Sequence, residues 1–128
     1  MAPRNEILVT IAVEKSKLAI KAAQDSIKDS NLENALNRIY YSVFYIVMAL
    51  AYKNDFITSK HSQLMGWFNN KFIYENKVFD DEIHQIYKKV FLYRQKGDYD
   101  LEYVPEIETV NELLLSAKKF IENVSKII

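Results

Sequence analysis

The sequence predicts an all-α protein, an antiparallel up-and-down helical bundle of four main helices plus a shorter one, and three observations carry that expectation. The 128 residues include only 2 Gly and 2 Pro, too few for the tight turns of a sheet-rich fold. Apolar residues recur at three- and four-residue intervals along most of the chain. The stretches between these periodic runs are short, which favours antiparallel neighbours. One domain over residues 1–128 is long enough to bury a core without disulfide or metal staples.

The first helix is expected from about Glu6 to Asp29, with Ile7, Ile11, Leu18, Ala22 and Ile27 inward and Glu14, Lys17, Lys21, Asp25 and Lys28 on a solvated face. Ser30 or Asn31 then caps a second helix from Leu32 to about Lys53. Its inner stripe is Leu32, Leu36, Ile39, Val43, Val47 and Leu50, while Asn34, Arg38, Tyr41, Tyr45, Met48 and Tyr52 form a second, aromatic face that also wants cover. Thr58 or Ser59 is the expected cap of a third helix aligning His61, Leu64, Met65, Phe68 and Phe72. A fourth begins at the acidic Asp80-Asp81-Glu82, continues through Ile83, Tyr87 and Val90 to Arg94, and is expected to stop at Gly97. Residues 98–104 then read as an acidic, aromatic connector, with Pro105 in the first turn of a fifth helix. That helix repeats Ile107, Val110, Leu114, Ala117, Ile121, Val124 and Ile128 as a packing seam.

Composition narrows the chemistry. With no cysteine, thiolate zinc sites, disulfides and cysteine nucleophiles are excluded. Seventeen basic residues balance 17 acidic ones, so any nucleic-acid site must be a local patch. The N-terminal segment is interrupted by Glu14, Lys15 and Lys17, unlike a signal peptide, and Ile39 to Tyr52 is too short to span a membrane. A cytoplasmic protein without membrane contact is expected. Two glycines cannot build a phosphate loop, and the single Asp81-x-x-His84 is half of a dimetal motif, so no metal or cofactor is expected and His84 reads as an exposed helix residue.

Two arginines stand out on otherwise apolar or aromatic helix faces. A guanidinium in low dielectric stays charged and needs a carboxylate, carbonyl groups or an anionic ligand. Arg94 has Asp98 and Asp100 nearby in sequence, and Arg38 has Tyr41 and Tyr45 for stacking. Such residues form either an internal Arg-Asp-Tyr network that pins the connector or an anion site. His61, heading the apolar row of the third helix, is either a core or capping histidine or a titratable group near a cleft.

Three blocks carry a resemblance to a known family: Asn37-Arg38-Ile39-Tyr40-Tyr41 leading to Phe44, then Lys60-His61-Ser62, then Arg94 followed by Asp98-Tyr99. Together they resemble the HEPN (higher eukaryotes and prokaryotes nucleotide-binding) domain family, in its branch of small stand-alone prokaryotic proteins. The resemblance implies a helical bundle, a homodimer, nucleotide or RNA chemistry in toxin-antitoxin or defence systems, and a nucleotidyltransferase-type partner. Many relatives are metal-independent ribonucleases with an arginine followed four to six residues later by histidine, whereas here Asp98 and Tyr99 occupy that window. The implied reading is a nucleotide-, RNA- or partner-binding protein whose dimer cleft holds Arg38, Tyr41, Arg94, Asp98 and Tyr99. The alternatives are a metal-independent endoribonuclease toxin with Arg94 and His61 as its chemistry, and a purely structural interaction module.

Overall fold

In the computed structural model, which describes residues 3–128, five α-helices and one π-helical segment account for the regular structure. The α-helices are α1 (Pro3–Lys28), α2 (Leu32–Lys53), α3 (His61–Phe68), α4 (Asp81–Tyr99) and α5 (Ile107–Ser125). The chain is therefore an all-helical bundle, with α2 at its centre packed by α1, α4, α5 and α3.

The position of α2 follows from its composition. Leu36, Ile39, Val43, Val47 and Leu50 are buried as their spacing predicts, while Leu32 is only partly covered. Asn31 caps the helix, its side-chain oxygen accepting from the Asn34 N–H at 3.3 Å. The second face of α2 is partly covered from within the chain: Tyr41, Tyr45 and Met48 pack against the core, and Lys15 of α1 lies 5.4 Å over the Tyr45 ring.

The first helix buries a different face from the one expected. Ala12, Ser16, Ala19, Ala23 and Ser26 are buried, whereas Ile7, Ile11 and Leu18 are exposed. The small residues recur every three or four positions and let the backbones of α1 and α2 approach closely. Ser16 Oγ donates to the Ser42 carbonyl across that contact at 2.7 Å.

Several helix ends also differ. Neither Thr58 nor Ser59 caps α3; Lys60 takes the cap position, and the Thr58 hydroxyl accepts from the Lys60 N–H and donates to Gln63 instead. Past Phe68 the chain widens into a π-helix over Asn69–Glu75, which buries the consecutive Phe72 and Ile73. Its following loop folds back so that the Phe72 carbonyl accepts from both Val78 and Phe79 N–H groups.

Gly97 does not end α4. It lacks the left-handed conformation of a terminating glycine, and a Cβ there would lie 3.3 Å from Leu36 Cδ1, so its use is close approach of α4 to α2. The helix consequently includes Asp98 and Tyr99 and is capped at Asp100. Pro105 precedes α5 rather than opening it; Glu106 is the cap residue, and its carbonyl accepts from Val110 N–H. His84, expected on the surface, is half-buried, with Nδ1 enclosed and unpartnered beside Tyr74. Among the described residues no helix is long and apolar enough to cross a membrane.

Candidate functional site

Three helices converge where the closeness permitted by Gly97 brings the end of α4 against the start of α2. From α4 come Arg94, Asp98 and Tyr99; from α2, Asn37, Arg38, Tyr40, Tyr41 and Phe44; from α3, its first residue, His61. Arg94 and Asp98 are one helical turn apart, and Nε lies 2.8 Å from Asp98 Oδ2 with both side chains largely shielded. That N–H is not aligned on an acceptor, so the contact is an ion pair by distance and not a well-directed hydrogen bond. The same carboxylate oxygen accepts from Asn37 Nδ2 at 3.3 Å.

Asn37 joins the two arginines. While its amide nitrogen serves Asp98, its Oδ1 accepts from Arg38 Nε at 3.1 Å and from Arg38 Nη2 at 2.8 Å. The Arg38 guanidinium then lies 5.0 Å over the Tyr41 ring. Arg94 is surrounded by three rings, at 5.5 Å from Tyr40, 5.7 Å from Tyr41 and 5.6 Å from Tyr99. Asp100, the other carboxylate considered for Arg94, instead accepts from Glu102 N–H.

The buried hydroxyl of Tyr40 meets His61 Nδ1 at 2.6 Å. Burial drives the Tyr40 phenol well above its ordinary range, only partly offset by Arg94, so it remains protonated and is assigned as the donor to Nδ1. For a neutral ring this places the histidine proton on Nε2. His61 stacks on Phe44 at 4.2 Å, and burial, then the nearby Arg94 charge, hold its pKa below the usual histidine value.

The lowered pKa has a consequence for stability. On acidification the unfolded chain takes up this proton first, so the contribution of His61 is complete above about pH 6.5 and declines as pH falls through the folded value. Between pH 7.5 and 5.5 the denaturation midpoint of the wild type should therefore fall further than that of His61→Gln; parallel slopes would show that the ring titrates as in solvent.

The structure thus brings together Arg38, Tyr41, His61, Arg94, Asp98 and Tyr99, while Asp100 bonds to Glu102, Tyr45 lies under Lys15 and not Arg38, and His84 sits beside Tyr74. It adds Asn37 as the link and Tyr40 as the histidine's partner. Tyr40 and Asn37 stood in the motif without a role; for Tyr40 the available signal was a hydroxyl beside the apolar stripe of α2, which needs a partner once buried. Among the described residues no three His, Asp or Glu side chains form a metal-binding group.

Fold and site together define a small helical-bundle protein with a paired-arginine, tyrosine and histidine cluster at the junction of three helices. The family model of the HEPN domain matches residues 9–127, and the chain belongs to the HEPN family. It is 35% identical over 102 residues to a "UPF0332 protein" of Thermotoga maritima, covering 80% of this chain and 76% of that one. It is 30% identical over 114 residues to "Putative toxin MJ0142" of Methanocaldococcus jannaschii, covering 89% of this chain and 77% of the relative. A second protein of that archaeon, "Putative toxin MJ0605", is 26% identical over 124 residues, covering 96% and 89%.

Proposed function

We propose that this chain is an RNA-binding protein of a toxin-antitoxin or defence system, seating an RNA phosphate on Arg94 with Arg38 alongside. The observation that carries this reading is the shielded Arg94 guanidinium, whose closest carboxylate contact is at Nε, on its inner edge. Among the described residues no hydrogen bond or carboxylate holds its two terminal nitrogens, which leaves them for a phosphate, and the surrounding rings lower the local dielectric. Family membership and the names of the Methanocaldococcus relatives agree with this setting.

A second reading, metal-independent RNA cleavage, is favoured by the short Tyr40–His61 contact beside Arg94. Attack by a 2′-hydroxyl requires a proton acceptor active near neutrality and a cation to stabilise phosphate charge. Arg94 supplies the cation, and His61, whose only acceptor nitrogen is held by the Tyr40 hydroxyl, would serve as the base once a substrate exchanges that contact. Incubating RNA with wild type, Arg94→Ala and His61→Ala in EDTA decides between the readings. Binding that needs Arg94 without cleavage upholds the first; cleavage lost in both variants establishes the second; RNA bound equally by wild type and Arg94→Ala with no cleavage by either overturns both.

Pairing into a symmetric homodimer, with α2 and α4 near the axis and two copies of Arg94 facing a shared cleft, belongs to the same reading, as does a nucleotidyltransferase-type partner. A shared cleft would concentrate charge in a molecule whose formal net charge is zero. Light scattering should give twice the chain mass; a value near 15.1 kDa at micromolar concentration would remove the dimer.

A further inference from the structure

Beside the arginine cluster, the end of α4 and the turn after it enclose an open depression of about 590 Å³ that the phosphate site leaves unused. The exposed Leu92 and Leu101 give it apolar edges, Gln95 contributes an amide, Asp100 and Glu102 contribute carboxylates, and Lys96 contributes an ammonium. Tyr99 also lines it. Its ring is 70% exposed, although Arg94 lies 5.6 Å from its centre. An exposed aromatic ring supported by a guanidinium, next to a concave apolar surface, has the features of a base-stacking platform.

We infer that this depression is a nucleobase subsite, in which a base of single-stranded RNA stacks on Tyr99 while its phosphate rests on Arg94. The inference rests on the RNA-binding reading above and specifies the substrate: an unpaired strand, because a base within a duplex presents no free face. Charge sets the direction of the ligand. Asp100 and Glu102 repel phosphate, the one cation of the lining, Lys96, has its ammonium over the Tyr93 and Tyr103 rings, and carboxylates with the Gln95 carbonyl can accept from an exocyclic amino group, which leaves the phosphate to Arg94. Bases that carry such a group, as adenine does, should therefore bind better than uracil.

The test uses fluorescently labelled ten-nucleotide oligo(A), oligo(U) and an abasic ribose-phosphate oligomer of equal length, titrated by anisotropy with the full chain. For wild type, oligo(A) should bind more tightly than oligo(U), and the ratio of oligo(A) to abasic affinity should fall roughly tenfold in Tyr99→Ala but persist in Tyr99→Phe. Equal affinity of wild type for oligo(A) and the abasic strand overturns the subsite while leaving Arg94-dependent phosphate binding intact. Loss of all three interactions from wild type would instead sink the RNA-binding reading itself. If Tyr99→Ala alters self-association by light scattering and leaves the affinity ratio unchanged, the depression is a protein contact and the subsite is wrong.

Discussion

Arg94→Ala should weaken RNA binding by at least about thirtyfold while the helical content measured by circular dichroism stays that of the wild type. Truncating one partner of a shielded charge contact costs roughly 2–5 kcal/mol, of which the lower limit already gives that factor. The fold should survive because Asp98 keeps its hydrogen bond from Asn37 and retains access to water. Arg94→Lys should recover only part of the affinity, since an ammonium restores charge without the planar fork. In a salt titration the slope of log affinity against log salt should shrink by about 0.7 in Arg94→Ala, the share of one phosphate contact on a single strand. An unchanged slope would place the phosphate elsewhere.

The largest expected loss of stability is at Phe120, at the meeting of α5, α3 and α4. The residue is fully buried, 5.5 Å from the Phe68 ring and 5.6 Å edge-on to Tyr87. Phe120→Ala removes a ring from a close-packed aromatic cluster and should cost about 3–5 kcal/mol. Against a total stability on the order of 5–15 kcal/mol, this should lower the melting temperature by roughly 10–20 °C. Leu115→Ala on the same helix removes an exposed side chain and should change stability by less than about 0.5 kcal/mol. Similar losses at both positions, measured by chemical denaturation, would show that Phe120 does not anchor the core.

How far the sequence could be read depended on which force decided each feature. The seams of α2 and α4, and of α5 at Val110, Leu114, Ala117 and Val124, were visible because apolar side chains at helical spacing have one good place to go, although Ile107 is exposed and Leu113 and Phe120 are buried beside that seam. In α1 the same rule selected Ile7, Ile11 and Leu18, yet the small residues at positions 12, 16, 19, 23 and 26 form an equally regular series. Close helix approach outweighed side-chain size there, a competition that hydropathy alone does not register. Gly97 was open to the opposite confusion, since a helix-stopping glycine and a glycine demanded by Leu36 look identical in sequence. The arginines, Tyr41, His61, Asp98 and Tyr99 were recognisable as polar residues in aromatic surroundings. Their shared location depended on the approach of α4 to α2, and the linking role of Asn37 on a side-chain geometry that spacing does not encode.

The small-residue face of α1 bears on the order in which the molecule opens. Each side chain that α1 fully buries is an alanine, a serine or Asn5, so its attachment rests on closeness more than on large interlocking groups. Such a helix is suited to be the first cooperative unit to detach in hydrogen exchange, well below the free energy of global unfolding. None of the arginine, tyrosine and histidine side chains of the cluster comes from it. A transient state with α1 lifted away could therefore retain the assembled cluster on α2, α3 and α4, with ligand recognition decoupled from the most easily opened part of the bundle.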